Sequence, residues 1–178
     1  MDMAINDNGL EVLTFGLEDE IFALEASCVR EILDVTTITT VPGAQPFVSG
    51  LLNVRGRVTP LADLKLKFGM EPRPPTVDSR LVVIEVPIEG EPLSVAIRAD
   101  KVFEVTSLPA ASLEAAPAIG MRWRPDYIRC IGKRAADAIV VLDIERVFST
   151  DPNEDNAGGR RAHDRGPRQP VPAAQQEN

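Results

Sequence analysis

The sequence predicts an all-β fold, mainly strands with short helices, arranged as two small barrels that repeat one another. Three observations lead there. Short runs rich in valine, isoleucine and threonine alternate with polar residues and are bounded by turn-forming residues. The pattern of the first half returns in the second, at a spacing long enough for one small barrel per copy. The chain of 178 residues suits one ordinary domain or two very small ones, and closing each sheet would remove its exposed edges.

The first half opens with residues 10–17, which place Leu13, Phe15 and Leu17 on one face of a strand. Glu18 and Asp19 make a turn, and residues 21–26 return as a second strand. Ser27 is expected to cap a single helical turn in which Val29, Ile32 and Leu33 share a face, with Arg30 and Glu31 outward. Residues 36–41 are β-branched and read as another strand, broken by Pro42-Gly43. A loop through Pro46 then leads to GLLNVRGRVTPLADLKLKFG, residues 50–69. That stretch predicts strand, tight turn, strand and a short closing helix. Leu52 and Val54 fall on one face, with Leu51, Asn53 and Arg55 on the other. Gly56 is the turn residue, flanked by Arg55 and Arg57, and Val58 and Leu61 are expected to resume the apolar face. Asp63 can cap the helix that carries Leu64, Leu66 and Phe68, and Gly69 can end it.

Residues 70–79 contain EPRPP and form a connector stiffened by proline. Residues 80–86 and 93–97 are strands joined by a turn at Glu89-Gly90. Asp100 is expected to cap a short turn leading into residues 102–105. Residues 108–121, rich in alanine and proline, take no assigned element. Residues 127–132 and 138–142 are strands, and Asp143 can cap a closing helix with Ile144, Val147 and Phe148 on one side. The folded region is placed at residues 10–149, in approximate halves 10–70 and 80–149. Residues 1–9 are expected to be flexible. The tail, 150–178, is expected to be disordered because it has almost no large apolar residues to offset its ordering entropy.

The duplication aligns residues 22–32, FALEASCVREI, with residues 95–105, VAIRADKVFEV, without a gap. Ser27 falls on Asp100, and Val29, Glu31 and Ile32 fall on Val102, Glu104 and Val105. The stretch from Gly50 falls on that from Cys130, Asp63 on Asp143 and Phe68 on Phe148. Two similar barrels would leave a groove between them for a partner element. Either each half closes its own barrel or it lends strands to the other.

Composition excludes several functions. A net charge of −8 disfavours nucleic acid or an anionic membrane surface as the main partner. Trp123 between Arg122 and Arg124 is weak evidence for base stacking in such a chain. No apolar run reaches transmembrane length and MDMAINDNG is no signal peptide, so direct membrane insertion is not expected and a cytoplasmic location is. Cys28 and Cys130 match no metal spacing and read as reduced thiols. The single histidine, His163, lies in the tail, which removes a histidine-dependent triad or metal site. Asp63, Asp100 and Asp143 each follow an apolar strand and precede a short turn, so capping explains them without acid–base chemistry. No catalytic residue, metal or cofactor is expected. The competing readings are a small-barrel nucleic-acid binder and another protein-interaction module.

Asn53-Val54-Arg55-Gly56, then Asp63-Leu64-Lys65 and Phe68-Gly69, resemble the signature of the CheW family, the coupling proteins of bacterial chemotaxis. Val29, Glu31 and Ile32 resemble its V-x-E-I, VPGAQPFVSG its P-x-x-P-x-F-x-x-G, and Tyr127-Ile128-Arg129-Cys130 its Y-[IL]-x-G with cysteine in place of glycine. Leu61-Ala62 stands where the family has a β-branched pair. The resemblance implies two five-stranded, SH3-like barrels related by an approximate two-fold axis. It implies a non-catalytic adaptor that couples chemoreceptors to a CheA-like histidine kinase. The partners would be the kinase's regulatory domain and the chemoreceptor's cytoplasmic tip, bringing the protein to membrane receptor arrays. Flagellar chemotaxis, pilus motility and surface sensing all stay open. The receptor-binding residues it implies are Arg55, Asn53, Gly56, Val29, Glu31 and Gly50; it assigns no kinase-binding residues.

Overall fold

The computed structural model describes residues 9–44 and 47–149. The expectations for the tail and for all but Gly9 of the N-terminal stretch therefore lie outside the described residues. Eleven strands and two short helices follow in order. They are β1 (Leu10–Leu17), β2 (Glu20–Glu25), β3 (Val29–Asp34), β4 (Val48–Val54), β5 (Arg57–Ala62), α1 (Leu64–Lys67), β6 (Arg80–Ile88), β7 (Glu91–Ala99), β8 (Lys101–Leu108), β9 (Leu113–Glu114), β10 (Ile128–Arg134), β11 (Asp137–Leu142) and α2 (Ile144–Ser149). The all-β class is as the sequence predicts.

The strands form one five-stranded sheet, β3-β6-β7-β5-β4, and one six-stranded sheet, β8-β1-β2-β11-β10-β9. The sixth strand is only the two-residue β9. The halves exchange hairpins: β6-β7 completes the sheet of β3, β4 and β5, while β1-β2 completes the sheet of β8, β10 and β11. Each exchanged hairpin docks through a parallel pair, β5 with β7 and β11 with β2. The duplication extends to defects in the ladders. Register shifts fall between Val48 and Gly50 and between Ile128 and Cys130, equivalent positions under the repeat. A bulge bends a strand sharply enough to curl a small sheet toward closure.

Three local expectations change for one reason, pairing with residues distant in sequence. Val29, Ile32 and Leu33 do not share a helical face. Residues 26–28 make one 3-10 turn, and Val29–Asp34 is a strand paired with β6. Ser27 caps nothing and its exposed hydroxyl faces Glu25 Oε2. Asp100 does not cap a turn either. The backbone runs straight on into β8, and its carboxylate accepts the Glu18 N–H at 2.8 Å. Of the residues 36–41 strand only Thr39 pairs, exchanging two 2.8 Å backbone bonds with Leu51. That single bridge closes the first sheet into a barrel, and the short β9 on β10 does the same in the second.

Asp63 and Asp143 do cap. Asp63 Oδ1 accepts the Lys65 N–H at 2.9 Å and Asp143 Oδ1 the Arg146 N–H at 3.1 Å. The helices they start send an aromatic ring across to the other half. Phe68 meets Tyr127 with centroids 5.9 Å apart, and Phe148 meets Phe47 at 6.1 Å. Phe47 and Tyr127 are themselves equivalent, and each accepts the capping aspartate's N–H at 2.8 Å.

Each barrel interior is small. Leu52, Val54, Leu61, Leu81, Val83 and Ala96 fill one, and Val12, Ala23, Leu108, Cys130, Ile139 and Val141 fill the other. The largest core lies between the sheets, where Phe15, Phe22, Leu24, Ile84 and Ile97 are fully buried. The facing surfaces are thus packed together and are not the open groove that the sequence suggested.

Candidate interaction site at the barrel seam

The hairpin joining β4 to β5 has two turn residues, Arg55 at φ 50° and Gly56 at φ 83°. Two left-handed residues in succession match the twist of an antiparallel pair. Glycine adopts this freely, but a side-chain-bearing residue loses roughly 1 kcal/mol. Asn53 holds the turn, its Oδ1 accepting the Gly56 N–H at 2.7 Å. The hairpin carries the Arg55 side chain into solvent, 79% exposed, with Nε donating to Glu31 Oε2 at 2.8 Å. Glu31 lies on β3. Because β3 and β4 are the two edges of the five-stranded sheet, this ion pair spans the seam where the barrel closes.

Arg55, Glu31, Asn53 and Gly56 therefore come together on the outer surface. Val29 and Gly50 do not join them. Val29 is half-buried against the central core. Gly50 is buried, and a Cβ there would stand 2.5 Å from Ile38 Cγ2 and 2.6 Å from the Thr39 carbonyl oxygen. Its glycine admits the segment that closes the barrel. The sequence reading missed one neighbour. Val58 was expected on the apolar face with Leu61, yet it is 72% exposed opposite Asn53, whereas Leu61 is wholly buried. Positions 58 and 61 differ in parity, so a strand sends them to opposite faces; counting parity through the turn would have found it.

The second barrel repeats the arrangement. Arg134 Nη1 donates to Glu104 Oε1, joining β10 to β8, the long strands on either side of that seam. Glu104 is the repeat equivalent of Glu31. Arg134 sits one residue before the equivalent of Arg55, a slip that hid it from alignment. The hairpin there turns at Ala135, also left-handed at φ 54°.

The capping aspartate of the first half and the buried lysine beside it are engaged elsewhere. Asp63 Oδ2 pairs with Arg98 at 3.0 Å. Lys65, with a side chain only 3% exposed, reaches Asp100 at 2.6 Å. The three aspartates do not converge, and among the described residues no group of histidine, cysteine, aspartate and glutamate could hold a metal. Both cysteines are free thiols. Burial pushes the Cys28 thiol up to about 11, and burial also raises that of Cys130. Neither is an activated nucleophile. Among the described residues no helix is long and apolar enough to cross a membrane.

Comparison with known proteins agrees with this architecture. Residues 11–151 match the family model for the CheW-like domain. The chain is 26% identical to the chemotaxis protein CheW of Treponema pallidum over 154 residues, covering 83% of this chain and 87% of that protein. It is 27% identical to the chemotaxis protein CheW of Klebsiella aerogenes over 143 residues, covering 80% and 84%. The crystal structure of the scaffolding protein TtCheW from Thermoanaerobacter tengcongensis superposes with a TM-score of 0.71 at 26% identity, covering 81% of this chain and 90% of that one.

Proposed function

The chain belongs to the CheW-like domain family and is a chemotaxis adaptor, and we propose that it carries out that role by holding a chemoreceptor tip at the first barrel seam and a CheA-like kinase on a different surface. The observation that carries the placement is Arg55. An exposed ion pair contributes about 0–1 kcal/mol, and a left-handed arginine gives up roughly as much. The fold gains nothing appreciable from presenting Arg55 this way. Glu31 takes only its Nε among the described residues, so the terminal guanidinium nitrogens remain for a partner's carboxylate or carbonyl groups. Asn53 and Gly56 set the turn, and Val29 and Gly50 support the wall behind it. Coupling then works by proximity and population shift. No bond chemistry is involved, in keeping with aspartates committed to caps and ion pairs. The folded unit is residues 10–149, and the protein acts at membrane receptor arrays through its partners.

The test is Arg55→Glu in the full chain, measuring melting, kinase binding and receptor binding. Folding should be unchanged to within about 0.5 kcal/mol. Receptor affinity should fall roughly 10- to 150-fold, from losing a charge-assisted contact, while kinase affinity moves much less. Unchanged receptor binding in a normally folded variant would show Arg55 to be a solvated hairpin residue.

A further inference from the structure

The two halves differ in the chain that runs from the closing pair of each barrel to the aromatic residue before its last hairpin. In the first barrel seven residues, 40–46, lead from the Thr39 bridge to Phe47; in the second twelve, 115–126, lead from β9 to Tyr127. The longer crossing lies over the central core and belongs to no sheet. Among the described residues no backbone hydrogen bond ties residues 115–123 to another element. Ala116, Met121 and Trp123 pack on the central core, while residues 117–120 stand exposed. The Trp123 indole meets the wholly buried Phe22 ring edge to face, centroids 5.1 Å apart. The Arg124 guanidinium stands over the Tyr127 ring, 5.4 Å from its centroid. Arg122 Nη2 lies 3.6 Å from Glu18 Oε2 on the turn between β1 and β2.

The forces on this segment nearly cancel. Burial of the indole and of two smaller apolar side chains holds it down, and the partly exposed Arg122–Glu18 pair adds little. Against them stand two buried donors, Trp123 Nε1 and Tyr127 Oη, that meet no acceptor among the described residues. An unpaired buried donor costs free energy that water returns once the covering segment lifts. Backbone entropy also favours release. A segment with few apolar contacts and no ladder opens well below the free energy of global unfolding. We propose that residues 115–126 are a strap that opens locally while both barrels stay folded, releasing Trp123 and uncovering Phe22. Its pivots are β9 and the turn at residues 125–127, and the Arg122–Glu18 pair is its latch. The latch reaches the joint between the barrels, because the Glu18 N–H donates to Asp100, which holds the buried Lys65. Any contact that favours one form of the strap shifts its population. The device does not depend on the receptor reading of Arg55, which lies on the other barrel.

Chymotrypsin can cleave after Trp123 only when the indole leaves Phe22, and Trp123 is the single tryptophan of the chain. The rate at which fragments ending at Trp123 appear from the full chain, identified by mass, therefore follows the open population. Each rate is divided by that of the free peptide 113–130 of the same sequence. Local opening should give cleavage far faster than global unfolding allows and nearly independent of urea below the unfolding transition. Glu18→Gln breaks the latch, leaves the cleaved sequence untouched and keeps the N–H on Asp100. It should raise the rate roughly two- to five-fold with the melting temperature little changed. Tyr127→Phe removes the hydroxyl that gains a partner only on opening, and should lower the rate. Three results would overturn the proposal: cleavage that appears only with global unfolding, a Glu18→Gln rate equal to that of the wild type, or a Tyr127→Phe chain that is cleaved faster.

Discussion

The two barrels share a frame and differ in their polar joints. Both carry a bulge at the same step, Val48/Gly50 and Ile128/Cys130, a capping aspartate at the same place, and a helix that sends a phenylalanine to the other half. At the point where the chain passes from one sheet to the other they part. Asp100, at the β7–β8 crossover, binds the buried Lys65 and the Glu18 N–H, so it ties the first helix to the opposite barrel's hairpin. Ser27, its equivalent between β2 and β3, is exposed, and its hydroxyl reaches only Glu25 among the described residues. Glu145 stands where Lys65 does and is exposed too. The apolar frame of a duplicated fold must match on both sides because the halves complete each other's sheets. The polar contacts face no such demand, and one crossover is pinned while the other is left to solvent.

The comparison can be broken most severely at the exchanged rings. Phe68 is nearly buried and stacks on Phe22 at 5.5 Å as well as meeting Tyr127. Phe68→Ala should cost about 3–4 kcal/mol, whereas Phe148→Ala, on a half-buried ring, should cost about 1 kcal/mol. Denaturant unfolding of the two variants measures the difference; equal losses would mean the two helices dock equally tightly. The crossovers come next. Asp100→Ala leaves the Lys65 ammonium buried without its partner and should destabilise by about 3 kcal/mol, while Ser27→Ala should stay within about 0.5 kcal/mol. Thermal melts read this directly, and a tolerated Asp100→Ala would mean that Lys65 finds water when the carboxylate is gone. The smallest effect is at the bulges. Gly50→Ala must displace the Thr39 backbone and should cost about 2 kcal/mol. Cys130→Ala, at a position that already accommodates a side chain, should cost about 1 kcal/mol. If the order reverses, the closing segment of the first barrel is looser than its hydrogen bonds imply.

Local chemistry alone determined the strands from 10 to 25, 80 to 99 and 128 to 142, both aspartate caps, the Arg55-Gly56 turn and the repeat that relates the halves. Those features depend on alternation, capping and left-handed backbone conformations, which act over a few neighbouring residues. What tertiary structure decided is everything that rests on pairing between elements distant in the chain. β3 is a strand because β6, some fifty positions later, offers it a ladder. Residues 36–41 contribute only Thr39 because the bulged edge of β4 accepts one bridge. Asp100 is an inter-barrel contact and no cap because Glu18 and Lys65 arrive from other elements. The seam pairs Glu31–Arg55 and Glu104–Arg134 exist only once each sheet has curled far enough to bring its edges together. Hairpin exchange makes the β3 ladder and the Asp100 contacts, and sheet closure within each half makes the Thr39 bridge and the two seam pairs; in each case the partners' sequence neighbourhoods carry no sign of each other.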